Sequence, residues 1–256
     1  MSEIHVSMEI VESVSVARVI IDRENKLNAL SSELTTSLRE AFLALADDES
    51  LGAVVLDGAG DTAWVGGADI AEMANLSADT AGAFISNLHT AMRAVRDLPV
   101  PVIARLDGYA LGAGMELAAA CDIRVASMAA HFGMPEVHVG LPSVIEASLL
   151  PRLMGLGRAS RLMLTGEVID AERAYEWGFV EEVVAPELLD DAINAVLSNI
   201  CRSGPRAVRS QKKLMRSWEG LTPDAAAEAS IAVFASAFEA AEPTERLQAF
   251  VNRKRS

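Results

Sequence analysis

At 256 residues and a formal net charge of −14, the chain is long enough to bury one large core but has the wrong sign for a nucleic-acid or anionic-membrane partner, which needs a basic face. Hydrophobic residues make up 51% of it and aromatics only 5%, so alanine supplies much of the apolarity and suits closely packed helices and subunit contacts. Cys121 and Cys201 are too few for a disulfide framework and too far apart for a CxxC site.

Two β-like runs, residues 4–10 and 14–21, open the chain around a turn near Glu12-Ser13. Ser31-Ser32-Glu33 predicts a helix start, and Leu34, Leu38, Phe42 and Leu45 follow on one face. Residues 52–56 read as a buried strand and 58–69 as a loop. Phe84, Leu88, Met92 and Val95 mark a second amphipathic helix, stopped by Pro99 and Pro101. Residues 102–104 read as a strand, 111–121 as a loop running into a short helix, and 123–125 and 130–132 as brief strands. From Pro142 onward the pattern is helical apart from a strand at 179–184, and Thr222-Pro223 pairs a capping hydroxyl with proline at the first helical position. Strands alternating with helices, then helices alone, predict an α/β fold with a core over residues 1–199 and a helical region over 200–256. Residues 202–256 hold ten of the 22 Lys/Arg but six of the 36 Asp/Glu. A cationic end on an acidic body suits an anionic small molecule or another subunit.

Two segments are rich in glycine, Trp64-Val65-Gly66-Gly67-Ala68-Asp69-Ile70 and Gly108-Tyr109-Ala110-Leu111-Gly112-Ala113-Gly114-Met115-Glu116. Each puts glycine where a backbone turns sharply or approaches a ligand. Leu117 stands where a dinucleotide fingerprint needs its third glycine, which excludes a Rossmann reading. Glu116 falls in the first turn of an apolar helix. It is either a surface residue complementing the helix dipole or a carboxylate buried for a reason. Glu136 follows in Phe132-Gly133-Met134-Pro135-Glu136, again among apolar neighbours. Two carboxylates in a dry cleft repel, so that one can serve as acid while the other serves as base. Spacing alone leaves that open.

Further motifs run the length of the chain: Ile21-Asp22-Arg23-Glu24-Asn25-Lys26-Leu27-Asn28-Ala29-Leu30, Pro99-Val100-Pro101-Val102-Ile103-Ala104, Leu164-Thr165-Gly166-Glu167, Trp177-Gly178-Phe179-Val180, and Ala249-Phe250-Val251-Asn252-Arg253-Lys254-Arg255. With the two glycine-rich segments, and in this order, they resemble the enoyl-CoA hydratase/isomerase (crotonase) superfamily, in its hydratase-like branch with both glutamates. The resemblance implies a crotonase-like superhelix of ββα turns, capped by a C-terminal helical oligomerisation region that builds homotrimers or dimers of trimers. It implies an acyl-CoA substrate, with no metal and no cofactor beyond the substrate's own coenzyme A. The backbone N–H groups of Ala68 and Ala113 would form the oxyanion hole. Glu116 and Glu136 would hold one water, Glu116 acting on its oxygen and Glu136 delivering the proton to carbon. Lys26, Leu27, Ala29, Gly66, Asp69, Ile70, Gly112, Pro135 and Lys254 would contact substrate. Asp69 either touches ligand or caps its loop, and the basic end at 253–255 either lies near the coenzyme phosphates or is a solvated tail.

One departure stands out. Where many related hydratases carry a glycine pair, this chain reads Ile145-Glu146 within Pro142-Ser143-Val144-Ile145-Glu146-Ala147, which predicts an altered wall of the acyl pocket. Isomerisation or thioester hydrolysis on the same scaffold, and a silent binding protein, are the rival readings. His5, His89, His131 and His138 read as structural or surface groups, and Asp122 and Arg124 as makers of structural hydrogen bonds. No apolar run reaches membrane-spanning length and Met1-Ser2-Glu3 opens no signal pattern, so a cytoplasmic setting without membrane or nucleic acid is expected.

Overall fold

The computed structural model describes residues 3–253. β1 (Glu3–Val11) and β2 (Val14–Asp22) pair as an antiparallel hairpin with Val11 opposite Val14. Glu12 and Ser13 both take positive φ, 49° and 71°, as a two-residue turn matched to the strand twist requires. α1 (Ser32–Ala46) begins where its sequence predicts. The Ser31 hydroxyl accepts from the Leu34 N–H and the apolar stripe of Leu34, Leu38, Phe42 and Leu45 is buried.

Next come β3 (Leu51–Gly58), β4 (Ala63–Val65), α2 (Ile70–Met73), α3 (Ala78–Asp97), β5 (Val102–Leu106), β6 (Tyr109–Leu111), α4 (Ala113–Ala120), β7 (Ile123–Ser127) and β8 (His131–Gly133). Strands of this stretch alternate between two sheets. One has the order β1-β2-β3-β5-β7-β10 and the other β4-β6-β8-β9, where β9 is Val168–Asp170 and β10 is Glu182–Val184. β3 with β4, β5 with β6 and β7 with β8 thus each place one strand in either sheet, and successive pairs stack in parallel. That is a superhelix of ββα turns, the arrangement the resemblance implied.

β4 falls in the stretch expected as loop and β9 in the stretch expected as helix, while β6 lies almost wholly between expected elements. Each has three residues, too few to show a period of two, and each exists only through a distant partner. The strand expected at 179–184 is shorter. The Phe179 N–H turns back to the Ala174 carbonyl at 2.9 Å, closing the end of α7 (Ala171–Glu176) instead of joining the sheet.

α5 (Leu150–Met154), α6 (Leu156–Thr165), α8 (Leu189–Cys201), α9 (Pro205–Trp218), α10 (Pro223–Ala237) and α11 (Ala241–Arg253) complete the chain. The boundary placed at 199/200 falls inside α8, whose Leu189, Ile193 and Leu197 pack with Val16, Val55, Ile103 and Val125 against the first sheet. α9 is docked as well. Lys212, 5% exposed, donates to Asp122 Oδ2 at 2.6 Å and to the Val100 carbonyl at 2.8 Å. α10 and α11, by contrast, bury no described residue. Among the described residues no helix is long and apolar enough to cross a membrane.

Candidate active site

The site grows from the close approach of α4 to β4. A methyl placed on Gly114 would lie 2.0 Å from the Val65 carbonyl oxygen, so only glycine lets the helix rest on that strand. All eight residues of α4 are buried. Gly112, just before it, has φ 51° and ψ −119°, a conformation that disfavours side chains. A methyl there would also meet Glu136 Oε1 at 2.7 Å. Ala113, at the first helical position, has an N–H with no acceptor within the helix.

Facing it is the loop after β4. The Leu30 N–H donates to the Gly67 carbonyl at 2.8 Å and the Asp69 N–H to the Leu30 carbonyl at 2.9 Å. These bonds flank Ala68. Among the described residues neither the Ala68 nor the Ala113 N–H meets a protein acceptor. Asn28, fully buried, holds the loop in place. Its Nδ2 donates to the Ala59 and Ala63 carbonyls, both at 2.8 Å, and its Oδ1 accepts from the Arg23 N–H at 2.8 Å.

Both alanines line a cavity of about 650 Å³ together with Gly66, Ile70, Gly112, Pro135, Glu116 and Glu136. Eight predicted site residues therefore meet around one space. Its far wall is apolar, with Met73, Leu76, Phe84, Ile85 and Leu88 on one side and Leu141 and Val144 on the other. Phe84 and Leu88 were read only as the stripe of a helix. Met73 and Leu76 carried no signal, because the four-residue α2 is too short to show a helical period. His138 also lines the space, although it had been read as structural or surface, and its Nε2 lies 2.8 Å from the Thr165 carbonyl.

Glu116 is 4% exposed, which excludes the surface reading. Its Oε1 accepts from the Ala147 N–H at 3.1 Å. Burial, and then the charge of Glu136, push its pKa up to about 8, against the opposing pull of the Ala147 N–H. A carboxylate with that basicity is suited to take a proton from water near neutral pH. Glu136 sits on the 3₁₀ turn Pro135–Val139, and its Oε2 accepts from the Ser143 hydroxyl at 2.9 Å. Among the described residues no group of three or more His, Cys, Asp or Glu is placed to hold a metal ion.

Residues 11–256 match the family described as enoyl-CoA hydratase/isomerase. The chain is similar to the crotonyl-CoA hydratase of Syntrophomonas wolfei, 36% identical over 94% of this chain and 93% of that one. The short-chain-enoyl-CoA hydratase of Clostridium acetobutylicum is 33% identical over 94% of this chain and 92% of its own. The structure of this chain is similar to that of an enoyl-CoA hydratase from Mycobacterium smegmatis, with a TM-score of 0.93, 33% identity, and coverage of 98% of this chain and 96% of that one. The chain belongs to the enoyl-CoA hydratase/isomerase family, within the crotonase superfamily.

Against that family's expected contacts, the other residues fall differently. Lys26, Leu27 and Ala29 stand outside the cavity on the turn that supports the loop. The Leu27 carbonyl accepts from the Gly66 N–H at 2.8 Å and the Ala29 carbonyl from Arg23 Nη1 at 2.8 Å, while Lys26 is exposed. Asp69 is taken up by its own loop. Its Oδ1 accepts from the Ala71 and Glu72 N–H groups, capping α2, and Oδ2 lies 2.7 Å from Arg23 Nη1. The Arg23 guanidinium holds its carboxyl below the usual range. Of the two readings left open for Asp69, the loop cap fits these contacts. Lys254 lies outside the described residues. Asp122 and Arg124 make structural bonds, Asp122 to the Val102 N–H and Lys212, Arg124 to the Phe179 and Cys121 carbonyls.

The family departure is also placed differently from its expectation. Val144 lines the cavity, but neither Ile145 nor Glu146 does. Ile145 has φ 41°, an outlier for a β-branched residue. Glu146 turns away from the cavity to His89 Nδ1, 2.8 Å from its Oε1.

Proposed function

We propose that this protein reversibly adds water across the double bond of a 2-enoyl-CoA thioester to give a 3-hydroxyacyl-CoA. The observation that carries the proposal is the desolvated Glu116, facing Glu136 in an apolar cavity beside two N–H groups without acceptors. The thioester carbonyl lies between the Ala68 and Ala113 amides, each worth roughly 3 kcal/mol to the developing oxyanion, and the positive end of α4 adds to the same oxygen. One water sits between the carboxylates. Glu116 takes its proton as the oxygen bonds to the β-carbon. The double-bond electrons move to the thioester oxygen as an enolate, and the Glu136 side supplies a proton to the α-carbon. Glu136 starts protonated and ends ionised while Glu116 ends protonated, and return of that proton from Glu116 to Glu136 restores the site, so each turnover consumes one water. The raised pKa of Glu116 suits it to the role of base, so kcat/KM should rise with pH through a limb near that value. A fall there would exchange the two roles.

The acyl tail lies along Met73, Leu76, Phe84 and Leu88. The exposed Lys26 and the basic end at 253–255 meet the coenzyme phosphates, a local counterweight to an acidic body. The exposed Ile231 and Phe234 of α10 and Leu247 of α11 dock on a second copy of the chain, giving a homotrimer or a dimer of trimers.

Turnover in water labelled with heavy oxygen tests the chemistry. Label should enter the β-hydroxyl. Glu116→Gln and Glu136→Gln should each lower kcat by roughly 10²–10⁴-fold, with losses in the double variant that do not add. Shifted double bonds without label would make it an isomerase and free acid a hydrolase. Full activity in Glu136→Gln would remove the paired mechanism.

A further inference from the structure

The 3₁₀ turn Ile145–Leu149 lies between two helices of the site and is held to both. On one side its Ala147 N–H, shared with the Val144 carbonyl at 2.9 Å, donates to Glu116 Oε1 of α4 at 3.1 Å. On the other, Glu146 Oε1 lies 2.8 Å from His89 Nδ1 of α3. The turn opens on Ile145 at φ 41°, a conformation that persists in a β-branched residue only when its surroundings impose it. Glu146 is 4% exposed, and its Oε2 is buried with no partner among the described residues. A buried carboxylate with one oxygen unsatisfied is costly. The His89 contact is what its other oxygen receives in return.

We propose that Glu146, anchored by His89, is a positioning residue for Glu116: the pair pins the strained turn at Ile145 so that the Ala147 N–H stays on the Glu116 carboxylate. Neither Glu146 nor His89 lines the substrate cavity, so the pair acts through Glu116 and not on substrate. The arrangement acts on Glu116 in two opposite ways. The Ala147 N–H lowers its pKa, while the charge of Glu146 raises it. Glu136, from the turn after β8, raises it too, and Glu146 in turn faces His89 and Arg96 of α3. The inference rests on the proposed hydration for its kinetic consequence only, since the hold on Glu116 exists without substrate.

The test titrates the Glu116 carboxyl carbon by NMR in the full-length protein carrying ¹³C-labelled glutamate, its signal assigned by loss in Glu116→Gln. Glu146→Gln removes the like charge but keeps an acceptor for His89, and should move the Glu116 midpoint to lower pH. His89→Ala frees the turn and should move it to higher pH, as the Ala147 bond is lost. His89→Asn, which keeps a donor near the Nδ1 position, should return it toward wild type. The limb of kcat/KM should follow the same order. kcat in His89→Ala should fall roughly tenfold to a hundredfold with KM little changed, the cost of a misplaced reacting group. Midpoints that stay put, or move the same way in Glu146→Gln and His89→Ala, would overturn the inference. If the midpoints shift as stated but no variant or wild type hydrates enoyl-CoA, the positioning stands and the proposed function fails.

Discussion

α4 and α10 are both alanine-rich helices with little apolar asymmetry, yet every residue of α4 is buried and no residue of α10 is. α4 is enclosed because glycine at 114 admits it onto the Val65 carbonyl and because α3 and the turn Ile145–Leu149 cover its remaining faces. Among the described residues α10 packs chiefly on α9, where the Trp218 indole N–H donates to the Ser230 hydroxyl at 3.1 Å. Its Ile231, at 69% exposure, and Phe234, at 72%, point outward. The comparison shows that apolar composition fixes how much surface a helix has to hide, whereas the neighbours decide whether the same chain can hide it. In α4 the enclosure raises the basicity of a carboxylate. In α10 the lack of enclosure leaves an apolar face exposed, the one proposed to meet a second copy.

The largest effect is expected at the contact that admits α4. Gly114→Ala puts a methyl against a backbone carbonyl that cannot move aside, so the variant should lose about 3 kcal/mol or more. Denaturant unfolding measures this, and a variant as stable as wild type would mean that α4 can lift from β4 without loss.

The next effect sharpens the cost of enclosing Glu116. Its pKa rises from 4.5 to about 8 on folding, so the folded state holds the proton more tightly than the unfolded one. Stability from this group is therefore fully present below about 4.5, is lost as pH rises, and levels off above about 8. The loss is on the order of a few kcal/mol. Glu116→Gln removes this dependence, so the variant should gain on wild type across that range in denaturant unfolding. A difference that does not vary with pH would mean that Glu116 is solvated in the folded protein.

The smallest effect on the chain itself belongs to α10. Ile231→Ser with Phe234→Ser should leave the isolated chain's stability within about 0.5 kcal/mol, as for exposed positions away from any core. Sedimentation should nevertheless show the proposed homo-oligomer dissociating. An unchanged oligomer would move the interface elsewhere.

Much of the fold was readable along the chain. The stripes of α1 and α3, the Ser31 cap and the Thr222-Pro223 start are local patterns, and local patterns survive without knowledge of the rest. The family motifs carried the two glutamates and the two alanines for the same reason, since glycine at 112 and 114 marks where backbone must turn or approach. β4, β6 and β9 were invisible because three residues have no period, and a partner far along the chain makes them strands. Asp69 could not be settled from sequence because its fate depends on Arg23 arriving at 2.7 Å.

The sequence by itself determined the order of the longer strands and helices, which carboxylates stand near the turns of the site and, through its family motifs, the ββα succession. Only the tertiary structure decided how basic Glu116 is, what forms the apolar wall, and where Ile145-Glu146 acts. His89 and Glu146 are 57 positions apart, and no spacing rule joins them. Desolvation and cross-helix hydrogen bonds sum contributions from segments that meet only in the folded chain, which is why the chemistry of this site depends on its packing more than on its motif.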